Sequence, residues 1–291
     1  MPITHYLSAL LILFPLCLNG QAKGQERVYT TGEDRSIFER YITAMAPKKT
    51  LPMEALIVET ATFFLGTPYV ASTLEKEPEG LVVNLRGMDC TTFVEYVIAL
   101  SRTLNDPDPS FDRFCRHLQH LRYREGVISG YAVRLHYMTD WIYENERKGI
   151  VKDMAKELGG DLLPLRLDFM STHPDSYKQL KGDPQLVREM ERVERRINGR
   201  TCHYLPKAGI AAFTDRIKPG DIVCFTTTIK GLDVTHAGII MQVGGRLTFI
   251  HASTSAGRVA VYGESLKTYL ERGKSTSGIL IARPLPPGST H

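Results

Sequence analysis

The sequence predicts an α+β domain, with helices first and an antiparallel sheet after them. Apolar residues recur at helical spacing through much of residues 34–123, whereas the last third carries short apolar runs cut by Gly and Pro turns. Strands and helices do not alternate as they would in βαβ units. The 291 residues are ample for one large core, and 43% hydrophobic with 23% charged residues is an ordinary globular balance.

The chain opens on an apolar run of 13 residues, Tyr6 to Leu18, followed by polar Asn19-Gly20-Gln21. Such a run is too short to span a bilayer and fits the apolar region of a signal peptide over residues 1–24, cleaved near Ala22. Export to the periplasm follows as an expectation, with Cys17 as an alternative lipid-attachment point and no later transmembrane span. Residues 25–291 then form a single domain. Asp34 to Ala46 reads as a helix with Ile37, Phe38, Tyr41, Ile42 and Met45 on one face. A second helix starts at Pro52 and stops before Gly66-Thr67-Pro68, and a Gly-, Pro- and charge-rich loop spans 66–87. Helices are predicted from Asp89 to about 105, over Phe111–Tyr123, over Val151–Leu158 and over Gln185–Asn198. Asp221–Phe225, His236–Val243 and Leu247–His251 read as strands.

A net charge of +4 over this length does not make a nucleic-acid surface. No phosphate loop and no dinucleotide fingerprint is present, so no cofactor is expected. Beyond Cys17, the cysteines at 90, 115, 202 and 224 show no paired C-x-x-C spacing, and Cys115, His117 and His120 lack a fourth ligand, so no metal is expected either. A monomer is expected.

Cys90 begins a helix whose N-cap is Asp89. In the first turn, unpaired backbone N–H groups and the helix dipole favour a thiolate and so lower its pKa, and the same N–H groups suit an oxyanion. A structural cysteine that merely starts a helix is the alternative. Gly244-Gly245 marks a two-residue hairpin that pairs Val243 with Arg246. Counting back sets Ile240 opposite Phe249 and Gly238 opposite His251. Side-chain alternation then puts His236, Gly238, Ile240 and His251 on one face, with Gly238 leaving the space between the two histidines empty. A base oriented by a second polar ring is what a Cys–His nucleophile pair requires.

Asp89-Cys-Thr-Thr-Phe-Val94, Lys218-Pro-Gly-Asp-Ile-Val223, Thr235-His-Ala-Gly-Ile-Ile240 and Phe249-Ile-His-Ala-Ser253 resemble, in order, the signature segments of the NlpC/P60 cysteine-peptidase superfamily, and Leu65-Gly-Thr-Pro-Tyr69 resembles the segment before them. The matching segments cover about a third of the chain. The resemblance implies a papain-like fold with Cys90 as nucleophile, His236 as base and His251 as the residue orienting it. Val70-Ala-Ser72 stands where Gly-Gly is usual, Thr91-Thr92 where Ser-Gly is common, and a long insertion at about 101–215 separates cysteine from histidine. Arg134–Asn145 and Asp168–Pro174 within it resemble the N-acetylmuramoyl-L-alanine amidase-like branch. That branch implies muropeptide substrates, including anhydro-muramyl ones, cut at the lactyl–L-Ala bond. The better-known branch, cutting D-γ-glutamyl–diaminopimelate, is the alternative, with a thiol acyltransferase or a non-catalytic wall-binding module behind it. Candidate substrate-binding residues are Tyr69, Asp89, Arg134, His136, Tyr137 and Trp141. Asp89 also reads as a plain N-cap, and the aromatic trio as a half-buried helix face.

Overall fold

The computed structural model describes residues 27–288; the expected signal peptide, Cys17 included, lies outside them. In chain order the elements are β1 (Val28–Tyr29), α1 (Gly32–Met45), α2 (Met53–Phe63), β2 (Leu81–Val82), α3 (Cys90–Leu104), α4 (Phe111–Arg122), α5 (Met138–Arg147), β3 (Val151–Asp153), β4 (Asp161–Leu162), α6 (Phe169–Thr172), α7 (Pro184–Asn198), β5 (His203–Pro206), β6 (Ile222–Thr227), β7 (Val234–Val243), β8 (Arg246–Ser253), β9 (Arg258–Val261), α8 (Leu266–Arg272) and β10 (Thr276–Pro284). Among the described residues no helix is long and apolar enough to cross a membrane.

The arrangement is α+β, as predicted. An eight-stranded antiparallel sheet runs β4-β5-β10-β6-β7-β8-β9, with β3 also paired to β10. One face packs Cys224, Ala237, Ile239, Ile250 and Leu280 against α1–α4. The other packs Val223, Phe225, Ile240, Phe249 and Ile281 against Leu266 and Leu270 of α8 and the turns at 207–217. A third, smaller core lies under α6 and α7 around Leu180, Met190 and Ile197.

Local chemistry sets the helix starts. Thr31 and Asp34 form a capping box on α1, and Asp89 and Thr92 form another on α3, each satisfying two otherwise orphaned N–H groups. Gly220, at φ +89°, closes the turn into β6; a Cβ there would stand 2.4 Å from the Glu54 carbonyl oxygen. Asp221 of the same turn accepts from the Lys218 N–H at 2.8 Å and from Arg283 Nε at 2.7 Å, tying the turn to β10.

One expectation changes. Val151–Leu158 is not a helix: Val151–Asp153 is a strand, and the Met154 N–H continues the pairing to the Ile281 carbonyl at 2.9 Å. So short an apolar run cannot be assigned by periodicity, and pairing with β10 decides it. Within the 101–215 insertion, β3 and β5 join the main sheet.

The insertion is bound to α3 by buried charge. Arg122 Nε donates to Glu95 Oε2 at 2.6 Å with both side chains almost fully buried, Arg122 Nη1 reaches the Val82 carbonyl, and Trp141 Nε1 donates to the other Glu95 oxygen. Breaking such a pair strands a charge in the core. Arg122→Met is expected to destabilise the fold by about 3–5 kcal/mol in urea unfolding. A loss below about 1 kcal/mol would show that Glu95 finds water or another partner.

Candidate active site

The hairpin places the two histidines as counted from the sequence. Val243 pairs with Arg246 and Ile240 with Phe249. His236 Nε2 lies 2.6 Å from His251 Nδ1, with the rings edge to face. Gly238 makes this possible: a Cβ there would meet the Ile250 carbonyl oxygen at 2.8 Å, the Phe249 ring at 2.9 Å and His251 Cβ at 3.3 Å. Phe225 stacks beneath His236, and Tyr269 of α8 faces both imidazoles. A cavity of about 290 Å³ opens over the pair, walled by Ser253–Ala256, Tyr262 and Tyr269.

Cys90 is the first residue of α3 and is half-buried. The backbone N–H of Ala237, the residue after His236, and the N–H and hydroxyl of Thr91 lie near enough to its sulfur to favour the charged form. The first-turn N–H groups of Cys90 and Thr91 have no intrahelical acceptor. No hydrogen bond joins the thiol to an imidazole; such contacts commonly tighten only around substrate. His236 Nε2 is engaged by His251, so Nδ1 is the nitrogen left for a proton from elsewhere.

Tyr69 is held beside this cluster by backbone. Its N–H donates to the Gly257 carbonyl at 2.9 Å, and the flanking Val70 and Met88 N–H groups bond across to Met88 and Pro68. The segment thus bridges the edge strand β9 to the residues just before Cys90. Its phenol is raised in pKa by burial, then by the nearby Cys90 and Asp89 charges. Asp89 acts as the N-cap, accepting from the Thr92 N–H at 2.8 Å.

The other substrate-binding candidates lie elsewhere. Trp141 is fully buried against Glu95, and Tyr137 is buried with its hydroxyl donating to Glu194 at 2.7 Å. His136 Nε2 bonds the Tyr131 carbonyl at 2.9 Å. Arg134 is buried and taken up by Glu79, Glu75 and the Leu74 carbonyl. These four side chains are core and tether, not groove, each taken up by a partner distant from the histidine pair. Tyr262 and Tyr269 were not legible as site residues. The only signal was the Ser265 cap that starts α8.

Electrostatics correct the expected thiolate. Burial, and then the Asp89 charge, push the Cys90 thiol up to about 11, while the Ala237 and Thr91 donors pull the other way. Burial drives His236 down to about 3, helped by His251, and His251 itself to about 4. At neutral pH the thiol and both imidazoles therefore rest uncharged. Even so, Cys90 is the least elevated of the described thiols: Cys115 and Cys202 rise to about 12 and Cys224 well above its ordinary value. Iodoacetamide at mildly alkaline pH is thus expected to alkylate Cys90 first, read by peptide mass mapping. Equal labelling of all four, or a silent Cys90, would contradict an accessible nucleophile.

Buried neutral imidazoles also fix the sign of an acid effect. His136 is likewise held down at about 3 by burial. In the unfolded chain all three titrate near 6.5. The unfolded state binds more protons below that value, so their contribution is complete above about pH 6.5 and is lost as pH falls toward 3–4. The urea midpoint is expected to drop between pH 7.5 and 5; an unchanged midpoint would mean that the rings charge freely in the native state.

The family model for AmiA-like, N-acetylmuramoyl-L-alanine amidase-like proteins matches residues 59–279. An N-acetylmuramoyl-L-alanine amidase from Bacteroides uniformis is 39% identical, with a TM-score of 0.76 over 80% of this chain and 98% of that one. A Bacteroides fragilis protein proposed to be a xylanase is also 39% identical, with a TM-score of 0.71 over 77% and 99%. A Legionella pneumophila protein at 22% identity shares the fold, with a TM-score of 0.65 over 87% and 95%. No curated protein sequence matches. With about three quarters of its length inside the family model and 80% of it matched by the Bacteroides uniformis amidase, the chain belongs to the AmiA-like family.

Proposed function

We propose that the protein is an exported, papain-like hydrolase of NlpC/P60 type. It would release the stem peptide from (anhydro)N-acetylmuramic acid at the lactyl–L-Ala bond, through a thioester on Cys90. One observation carries the cysteine mechanism: a helix-start thiol lies beside the backbone of Ala237 while the preceding residue, His236, is locked to His251 at 2.6 Å. Family membership and the Bacteroides uniformis relative support the amide substrate.

The steps follow from the tautomers. For Nδ1 of His236 to accept a proton, its Nε2–H must donate to His251 Nδ1. The Cys90 proton then passes to His236 Nδ1 as sulfur attacks the lactyl carbonyl carbon. Burial opposes either charge alone, but thiolate and imidazolium arise together and attract strongly in so dry a site. First-turn N–H groups at Cys90 and Thr91 hold the oxyanion. The C–N bond breaks as His236 returns its proton to the amine of L-Ala. Water, deprotonated by His236, then cleaves the thioester. His251 fixes the ring and accepts from the imidazolium without moving a proton itself. Tyr69 contributes a hydroxyl near the reacting carbonyl, and Asp89 holds the helix start. No cofactor or metal enters these steps.

The relative proposed to be a xylanase raises a glycosidase reading, which needs two carboxylates about 5–10 Å apart across the scissile bond. The wall of the cavity over the histidines carries none.

Cys90→Ala and His236→Ala are expected to abolish turnover. His251→Ala is expected to leave activity lowered on the order of 10²-fold, since orientation is degraded and not removed. The substrate test sets a disaccharide-tetrapeptide beside the bare tetrapeptide, with products read by mass spectrometry. Free sugar plus intact peptide supports the amidase. Cleavage of the bare peptide between D-Glu and diaminopimelate would replace it with the endopeptidase.

A further inference from the structure

Burial of Arg134, Tyr137 and Trp141 leaves recognition of the sugar without a location. A second cavity supplies one. It measures about 540 Å³, nearly twice the volume over the histidines, within the 300–1,000 Å³ usual for small-ligand sites. It lies between the N-terminal strand and the loop that follows Tyr69, and its wall includes Val70, whose N–H bonds the Met88 carbonyl at 3.1 Å two residues before Cys90. The cavity thus shares a backbone wall with the candidate active site.

Two independent observations mark this wall as built for a ligand. Buried polar atoms in folded proteins nearly always have partners, and exceptions call for an explanation. Here Thr30 Oγ1, Thr73 Oγ1, Asn84 Oδ1 and Glu75 Oε2 are buried without a hydrogen-bond partner among the described residues, and all four residues line this one cavity. On the same loop, Ser72 is held at φ +57°, a conformation that L residues other than Asn and Asp rarely adopt and that clusters at ligand clamps.

We propose that this cavity binds the N-acetylated sugar of the substrate, an inference that rests on the muramyl-amidase reading. Three of the four orphaned atoms are uncharged hydroxyl or amide oxygens, which match sugar hydroxyls and an acetamide. The fourth is a carboxylate oxygen, a strong acceptor for a sugar hydroxyl and repulsive to the carboxylates of a stem peptide. Tyr29 adds an aromatic wall for the C–H face of a pyranose.

The test uses the inactive Cys90→Ala full chain and calorimetry, so it needs no turnover. The probes are the peptide-free disaccharide of N-acetylglucosamine and N-acetylmuramic acid, and separately the free tetrapeptide. Thr73→Val and Asn84→Leu, in that background, are expected to weaken disaccharide binding tenfold or more and leave peptide binding unchanged. Thr30→Val, near-isosteric, serves if Asn84→Leu fails to fold. No disaccharide binding by the parent, unchanged affinity in the variants, or a loss confined to the peptide would overturn the assignment; the last would make Lys76 and Arg86, at the same cavity, its carboxylate contacts. Should the active enzyme cut no muramyl amide, the amidase reading fails while the disaccharide measurement still decides the cavity.

Discussion

The register of one β-hairpin is the constraint on which the site depends. A two-residue Gly-Gly turn pairs Val243 with Arg246, and every later pairing follows. A slip of one residue would send His236 and His251 to opposite faces, one toward α3 and one toward α8. The correct register alone would still leave their rings apart, because diagonal neighbours on a sheet have Cβ atoms about 7–8 Å from each other. Gly238 removes the side chain between them, and Phe225 and Tyr269 pack the rings from outside, so that two nitrogens meet at 2.6 Å. Contact between them is thus set by a turn, a missing Cβ and two aromatic walls together.

That packing has an electrostatic consequence. The aromatic enclosure that aligns the imidazoles also dries them, and dryness opposes charge on either ring and on the Cys90 thiol. A first-turn helix position favours a thiolate, but here the effect of burial is larger, and Asp89, the residue that caps the helix, adds its own repulsion. The same side chain therefore builds the helix start and disfavours the charge on its neighbour.

Much of this was legible in the sequence. Helices α1–α4 and α7 follow from apolar spacing and their caps, and the histidine pair follows from counting back from Gly244-Gly245. What was not legible has physical causes. The β3 strand is three residues long and exists because β10 pairs with it. Trp141 and Tyr137 carry polar tips that suit a groove or a core equally well, and only the partners Glu95 and Glu194, distant in sequence, decide for the core. The direction of the Cys90 shift depends on how deeply the helix start is buried, which no local pattern states.

Arg134 joins these strands of the argument. Its guanidinium is withdrawn from solvent, yet its partners are Leu74, Glu75 and Glu79, and the Tyr123 hydroxyl donates to Glu79 as well. All three partners belong to the loop that walls the larger cavity or continues from it. Ser72 within that loop is strained. Arg134 thus ties that loop to the insertion, where Asp140 of the following α5 pairs in turn with Arg124 and Arg200. On the proposed reading of this cavity, the insertion acts on substrate recognition at one remove. It contributes no side chain to the cavity, but it fixes the loop that does.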